Sequence, residues 1–176
     1  MGAEQCFRKA MAIYPEDDEF LLALVNLLVK HERKPEAAEK VLRETLAADP
    51  TNVTFICDLA RFLGNVRANQ GKAEELYRKA LTLEPTNATV VFRMADFMEN
   101  VRTYYDEAGR LYRQAIHLDP QSRFYLYRCG LFQEQKLKNY SEANELYRQV
   151  LDRSPWPMLY RTNYDRFLGE HPEFRK

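Results

Sequence analysis

The residue types that most often perform chemistry are few in this sequence and lie far apart. The 3 histidines and 3 cysteines form no CxxC pair and no Cys/His metal spacing, and no second ligand stands one helical turn from a histidine. No Ser-His-Asp or Cys-His arrangement and no glycine-rich phosphate loop can be identified. His31 and His117 instead suit the ends of helices, where a cation is favourable. We therefore predict no catalytic residue, no metal site and no cofactor.

Composition and charge are those of a soluble, folded chain. Of the 176 residues, 45% are hydrophobic and 30% are charged, with a formal net charge of zero. This balance gives no general attraction to nucleic acid or to an anionic membrane. The longest apolar run, Phe20 to Val29, is interrupted by Asn26 and is too short to span a membrane. Because the cysteines are odd in number and no secretory signal follows Met1, we expect an intracellular, cytoplasmic protein.

A short pattern recurs along the whole chain. Residues 73–85 read AEELYRKALTLEP and residues 108–120 read AGRLYRQAIHLDP. Further copies occupy residues 3–15, 38–50 and 143–155. The copies close at prolines spaced 35 residues apart, which are Pro15, Pro50, Pro85, Pro120 and Pro155. A fixed period between about 20 and 50 residues is typical of a solenoid or repeat array.

Each unit between these prolines reads as two helices. In residues 51–85, Thr51-Asn52 supplies side-chain oxygens that cap a helix N-terminus. Apolar residues then follow the i, i+3, i+4 spacing of one helical face, at Val53, Ile56, Leu59, Ala60 and Leu63. A second helix ends ahead of Pro85, because proline cannot continue it. A single hairpin of this kind cannot bury its apolar face, so the units must stack.

These units resemble the tetratricopeptide repeat, whose second helix carries small, aromatic and small residues before a closing proline. The pattern is complete in Ala73, Tyr77, Ala80 and Pro85. It recurs in Ala108, Tyr112, Ala115 and Pro120. A third copy has Ala143, Tyr147 and Pro155, with Val150 in place of the second alanine. The resemblance implies an all-α, right-handed superhelix, an α-solenoid of stacked antiparallel helical hairpins. The period is one residue longer than the usual unit, and we expect the extra residue in the turn between the two helices.

We expect one repeat array over residues 1–176. Its parts are a lone second helix near 3–14, hairpins near 16–50, 51–85, 86–120 and 121–155, and a lone first helix near 158–168. Because the array opens and closes inside a unit, we expect the chain to be a fragment of a longer array.

In this family the first helices line a concave groove that binds a peptide or a partner's helix. The resemblance therefore implies a non-catalytic protein–protein interaction or scaffold module. The candidate groove residues are Asn26, Asp58, Arg61, Phe92, Arg93, Asp96, Phe124, Tyr127, Arg128, Asn163 and Arg166. The residue set with which some members clamp a chaperone's C-terminal carboxylate is not completed. Asn26 and Arg93 fit it, but Leu22, Asp58 and Thr89 occupy its other positions.

Two other functions remain open at this stage. One is the half-a-tetratricopeptide scaffold of RNA processing, and the other is a regulatory array within a larger enzyme. The regular closing proline and the alanine spacing favour the tetratricopeptide interpretation, and the neutral charge argues against RNA. We therefore expect a protein or peptide partner, with no nucleic acid and no membrane.

Four arginines come from successive first helices, at Arg61, Arg93, Arg128 and Arg166. An arginine fork beside an aromatic ring suits a carboxylate next to an apolar side chain. On this interpretation the arginines form one wall of the groove, partly neutralised by Asp58, Asp96 and Glu99. The alternative is that they pair with Asp58 and Asp96 across neighbouring helices and only hold the array together.

Overall fold

A computed structural model describes residues 2–14, 18–153 and 158–175. Over these residues the regular structure is entirely helical, with no strand. The α-helices are α1 Ala3–Ile13, α2 Asp18–Asn26, α3 Pro35–Ala48, α4 Val53–Asn65, α5 Gln70–Leu83, α6 Ala88–Phe97, α7 Tyr105–Leu118, α8 Arg123–Phe132, α9 Tyr140–Asp152 and α10 Met158–Glu170. The prediction of an all-α fold built from helical hairpins is confirmed.

The chain divides into two compact units, residues 1–85 and residues 86–176. In the first unit α2 packs on α3 and α4 packs on α5, with α1 against α2. In the second unit α6 packs on α7 and α8 packs on α9, and α10 lies against α9. A single array over both units remains a prediction.

The first helices begin at side-chain caps, as the sequence predicts. The Oδ1 atom of Asn52 accepts hydrogen bonds from the backbone N–H groups of Thr54 and Phe55, at 3.0 and 3.2 Å. Asn87 caps α6 in the same way, and the Ser122 hydroxyl accepts from the N–H of Tyr125. These bonds satisfy donors that the first turn of a helix leaves without an intrahelical partner.

The second helices present the small and aromatic residues of the repeat to the core. Ala73 and Ala80 are fully buried on either side of Tyr77. The same arrangement recurs on α7 around Tyr112 and on α9 around Tyr147, and these tyrosines are at most 2% exposed. Alanine lets the facing helices approach closely while the ring fills the space between them. The packing roles given to these residues by the repeat pattern are therefore observed.

The first helices do not end as ordinary α-helices. A π-helical turn continues α2, α6 and α8, over Leu27–His31, Met98–Arg102 and Gln133–Leu137. At the matching place after α4, the N–H of Arg67 bonds the carbonyl of Phe62, which is also five residues away. A π turn encloses one more residue than an α turn. We therefore place the extra residue of the 35-residue period in this widened last turn, and not in a separate loop.

Each of these turns is closed by one residue in the left-handed conformation. Arg33, Ala68, Thr103 and Lys138 have φ between 53° and 56° and stand 35 residues apart. The backbone N–H of the residue after each one donates a hydrogen bond to the carbonyl oxygen six residues earlier in the chain. For example, the N–H of Asn69 donates to the carbonyl of Leu63 at 2.8 Å. This conformation costs a residue that has a Cβ atom about 1–2 kcal/mol of free energy. The repeat thus carries the same backbone strain at every hairpin.

Replacing Ala68 with glycine is expected to raise the free energy of unfolding by about 0.5–1 kcal/mol. Glycine relieves the left-handed strain at φ 53°, and the greater flexibility of the unfolded chain offsets part of the gain. The matched control is Ala37→Gly in the first turn of α3, which should lower stability by about 0.5–1 kcal/mol. Urea denaturation of both variants checks this, and two changes of the same sign would contradict it.

Candidate functional site

The first unit contains an apolar cleft between its first helices. The volume of the cleft is about 120 Å³. Its apolar lining comes from α2, the π turn, α3 and α4, through Leu22, Val25, Val29, Leu42, Phe62 and Val66. Its polar residues are Asn26, Lys30, Asp58, Arg61 and Asn65. The structure thus brings three sequence candidates, Asn26, Asp58 and Arg61, to one concave site.

The charged groups of this cleft differ strongly in burial. The side chain of Asp58 is 0% exposed and that of Arg61 is 50% exposed, and Arg61 Nη2 lies 3.6 Å from Asp58 Oδ1. Asn26 and Lys30 are exposed at the edge. Since a guanidinium carries five N–H donors, contact with Asp58 leaves Arg61 able to donate toward the solvent side. The carboxylate of Asp58 is thus buried beside Arg61 of the same helix.

In the second unit, Arg128 of α8 is engaged by the neighbouring first helix. It forms a short ion pair with Asp96 of α6, and its Nη2 lies 3.8 Å from Glu99 Oε2. The hydroxyl of Tyr112 donates to that same Glu99 oxygen at 2.6 Å. Glu99 is only 7% exposed, so it approaches Arg128 from the packed interior. Tyr112, Glu99 and Arg128 together form what we call the first polar clamp.

A second polar clamp repeats this arrangement one hairpin later, with Tyr147, Glu134 and Arg166. The hydroxyl of Tyr147 donates to Glu134 Oε2 at 2.6 Å. Arg166 of α10 forms two ion pairs: its Nη2 lies 2.8 Å from Glu134 Oε1, and its Nη1 lies 3.0 Å from Glu170 Oε2. Glu134 is 5% exposed. Arg128 thus pairs with Asp96 of a neighbouring helix, as the packing alternative describes. Arg166 also pairs with a neighbouring hairpin, but through Glu134, which that alternative did not name.

The polar clamps also shape the chemistry of their tyrosines. Burial, and then the hydrogen bond to Glu99, raises the pKa of the Tyr112 phenol well above its ordinary value. Burial and the bond to Glu134 raise the pKa of Tyr147 in the same way. Both hydroxyls therefore stay protonated at neutral pH and remain donors to the buried carboxylates. The sequence analysis missed Glu134 entirely, although Glu99 and Glu134 stand one period apart, as Tyr112 and Tyr147 do.

The aromatic candidates divide between core and surface. Phe92 is 7% exposed and its ring lies 5.6 Å from that of Tyr112, so it belongs to the core. Phe124 is 50% exposed, and its ring centroid lies 5.0 Å from that of Phe92. Tyr127 is half-buried, and its ring centroid lies 5.0 Å from that of Tyr160.

The two remaining candidates belong to α6 and α10. Arg93 and Asn163 are both half-buried on these first helices. The second unit thus offers aromatic surface at Phe124 and Tyr127, while its paired arginines serve the packing of the helices.

Cys129, on α8, is fully buried. Burial raises the pKa of the Cys129 thiol to about 12, which keeps it protonated at neutral pH. Within the described residues, no group of three or more His, Cys, Asp and Glu side chains is arranged to hold a metal ion. In the same residues, no helix has the length and apolar character needed to cross a membrane.

Comparison with known proteins finds similarity in structure. No protein-family model and no curated protein sequence matches the chain. Among solved structures, TTC0263, a thermophilic TPR protein of Thermus thermophilus, is similar with a TM-score of 0.74 at 18% identity, over 94% of this chain and 89% of that chain. PilF of Pseudomonas aeruginosa gives 0.68 at 22% identity, over 98% of this chain and 72% of that one. MamA gives 0.59 at 20% identity, over 86% of each chain.

The comparisons and the helical hairpins agree with each other and with the repeat pattern. The alanine and tyrosine positions that resemble the tetratricopeptide repeat are buried on the second helices α5, α7 and α9. Identities at this level establish the fold alone. The chain therefore has the fold of a tetratricopeptide-repeat protein.

Proposed function

We propose that the chain is a non-catalytic protein-interaction module that binds a segment of a partner protein at the cleft of its first unit. The observation that carries this proposal is the meeting of Asn26, Asp58 and Arg61 around one apolar concavity. These residues come from first helices of successive hairpins, α2 and α4. They are also the candidates that the family resemblance assigns to a peptide groove.

The lining of the cleft describes the segment that it suits. Its apolar floor, with Leu22, Val25 and Val29, suits an aliphatic or aromatic side chain, which gains free energy by leaving water. At the edge, Arg61 offers a guanidinium fork and Lys30 a second cation, against the single carboxylate of Asp58. A fork of this kind favours a carboxylate. The proposed ligand is thus an extended or helical segment with acidic residues beside aliphatic or aromatic ones.

The first helices of the second unit contribute less in this proposal. Phe124 and Tyr127 offer aromatic surface to a partner, and Arg93 and Asn163 lie on the same set of helices. Arg128 and Arg166 act in packing, because each one neutralises a buried glutamate. Reversing their charge would therefore test the stability of the second unit and not the binding of a partner.

Charge reversal at Arg61 tests the proposal. We expect Arg61→Glu to weaken the binding of acidic, apolar peptides by at least about tenfold, which corresponds to about 1.4 kcal/mol. The measurement uses an array of synthetic peptides that combine glutamate with leucine or phenylalanine, followed by titration of those that bind. Because Arg61 is half-exposed, the variant should keep its helical circular dichroism.

Arg78→Glu is the matched control. Arg78 lies on the second helix α5, has a side chain that is 60% exposed and forms an ion pair with Glu74 one turn away, so the same change in charge is made away from the cleft. Unchanged binding by Arg61→Glu, or an equal loss in Arg78→Glu, would refute the proposal. Protein-wide loss of helicity in Arg61→Glu would refute it too, since the residue would then act in folding.

A further inference from the structure

A second and larger concavity lies at the end of the second unit, and its described lining includes none of the candidate residues. Its volume is about 520 Å³. It lies between α9 and α10 and is bordered by the short 3-10 turn Pro172–Phe174. Three arginines line it, Arg148, Arg161 and Arg175, together with Tyr164, Leu168 and Phe174. We call it the end cleft.

We propose that the end cleft binds an acidic peptide segment of a partner protein, with carboxylates on the arginines and an apolar side chain against Tyr164, Leu168 and Phe174. This site is separate from the cleft of the first unit, and the inference does not depend on that proposed function. It rests on the shape, the fixed walls and the charge of the end cleft.

The walls of the end cleft are fixed by contacts of their own. The hydroxyl of Tyr164 donates to Asn144 Oδ1 at 2.8 Å. Arg175 Nε donates to the carbonyl of Leu168 at 2.9 Å, which holds the C-terminal turn against α10. The ring of Phe174 stacks on the buried ring of Phe167, with centroids 5.8 Å apart. A site with walls held in this way loses little freedom when a ligand binds.

The charge of the end cleft is unbalanced. Among the described residues its lining has three arginines and one aspartate, Asp152, so these residues carry a formal charge of 3 − 1 = +2. Arg148 and Arg161 are exposed and form no salt bridge with another of the described residues. The arginines of the two polar clamps, in contrast, are engaged by buried glutamates. The end cleft therefore presents guanidinium groups with donors available to an incoming anion.

The distribution of these groups favours a peptide over a single small anion. The three arginines come from three separate elements, α9, α10 and the C-terminal turn. Their charges thus border the cleft on several sides, which suits carboxylates spaced along a chain. Between them, Leu168 and Phe174 are half-buried and offer apolar surface that an isolated anion would not use.

The test uses the full chain carrying Arg61→Glu, so that the cleft of the first unit is already disabled. The probe is a dye-labelled synthetic peptide in which glutamates alternate with leucine and phenylalanine, titrated by fluorescence anisotropy. We expect saturable binding of this probe. Adding Arg148→Glu and Arg161→Glu should weaken it at least about tenfold, while circular dichroism stays unchanged because both side chains are exposed.

Two controls separate the end cleft from general charge attraction. Adding Arg43→Glu and Arg78→Glu instead makes the same change in net charge on exposed parts of the first unit, and should leave the affinity unchanged. A probe with alanine in place of leucine and phenylalanine should bind more weakly. Absence of probe binding, equal loss in both double variants, or equal binding of the two probes would each overturn the inference.

Discussion

Replacing Tyr112 with alanine is expected to lower the free energy of unfolding by about 3–5 kcal/mol. The ring is fully buried and lies against the rings of Phe92 and Phe132, with centroids 5.6 and 5.2 Å away. Alanine would leave a cavity there. It would also remove the hydroxyl that donates to Glu99 at 2.6 Å, and a buried carboxylate that loses a donor adds to the cost.

Two control variants separate these contributions. Tyr112→Phe keeps the ring and removes only the hydroxyl, so we expect a loss of about 1–3 kcal/mol. Arg113→Ala changes the next residue of α7, whose side chain is 55% exposed, and should cost less than about 0.5 kcal/mol. Urea denaturation followed by circular dichroism measures all three. Equal midpoints for Tyr112→Ala and Arg113→Ala would show that our account of the packing is wrong.

Replacing Gly130 with alanine is the second change with a large expected effect, a loss of about 1–3 kcal/mol. A Cβ atom at this position would lie 2.7 Å from Tyr147 Cε1 and 3.0 Å from Cδ1. The ring has little freedom to withdraw, because it is buried and its hydroxyl is bonded to Glu134 at 2.6 Å. One added methyl group should therefore disturb the second polar clamp as well as the packing of α8 on α9.

Gly71→Ala is the matched control, because its added methyl group meets nothing within 4 Å. Gly71 lies in the first turn of α5, where alanine is the better helix former, so we expect a gain of about 0.5–1 kcal/mol. Thermal unfolding of the two variants should thus give shifts of opposite sign. A gain in stability for Gly130→Ala would contradict the close approach of Tyr147.

The parts of the fold that depend on short-range signals could be predicted from the sequence. The alanine and tyrosine spacing of the second helices identified Tyr77, Tyr112 and Tyr147 as core residues. The Asn52 cap was predicted because a cap depends only on residues within one turn. Repetition at a fixed period strengthened each of these signals, since the same interpretation had to fit every copy.

The polar clamps could not be predicted in the same way. A glutamate near the end of a helix ordinarily indicates a solvated surface, and Glu99 was interpreted so. Its burial depends on Arg128, which comes from the next hairpin. The arginine that meets Glu134 is not even at the matching position, because Arg166 is 38 residues after Arg128 and not 35. The pairing with arginine therefore leaves no periodic signal in the sequence, although Glu99 and Glu134 themselves stand one period apart.

The ends of the first helices were also beyond prediction. Glycine or asparagine is the usual sign of a left-handed residue after a helix, but here that conformation falls on Arg33, Ala68, Thr103 and Lys138. Four different side chains share one backbone geometry. Its recurrence is therefore imposed by the packing of the hairpins and not by the local residue type.

The polar clamps have a consequence for how such a chain can evolve by duplication and exchange of its repeats. The glutamate of each clamp belongs to one hairpin and its arginine to the next, while the equivalent positions of the earlier repeats hold Val29 and Gly64. Moving residues 86–120 to a place where no arginine follows would strand the charge of Glu99 in the core, at a cost of several kcal/mol. Although the second helices look alike, the repeats that contain Glu99 and Glu134 are consequently ordered neighbours, each fitted to the helix that follows it, and cannot be shuffled as equivalent modules.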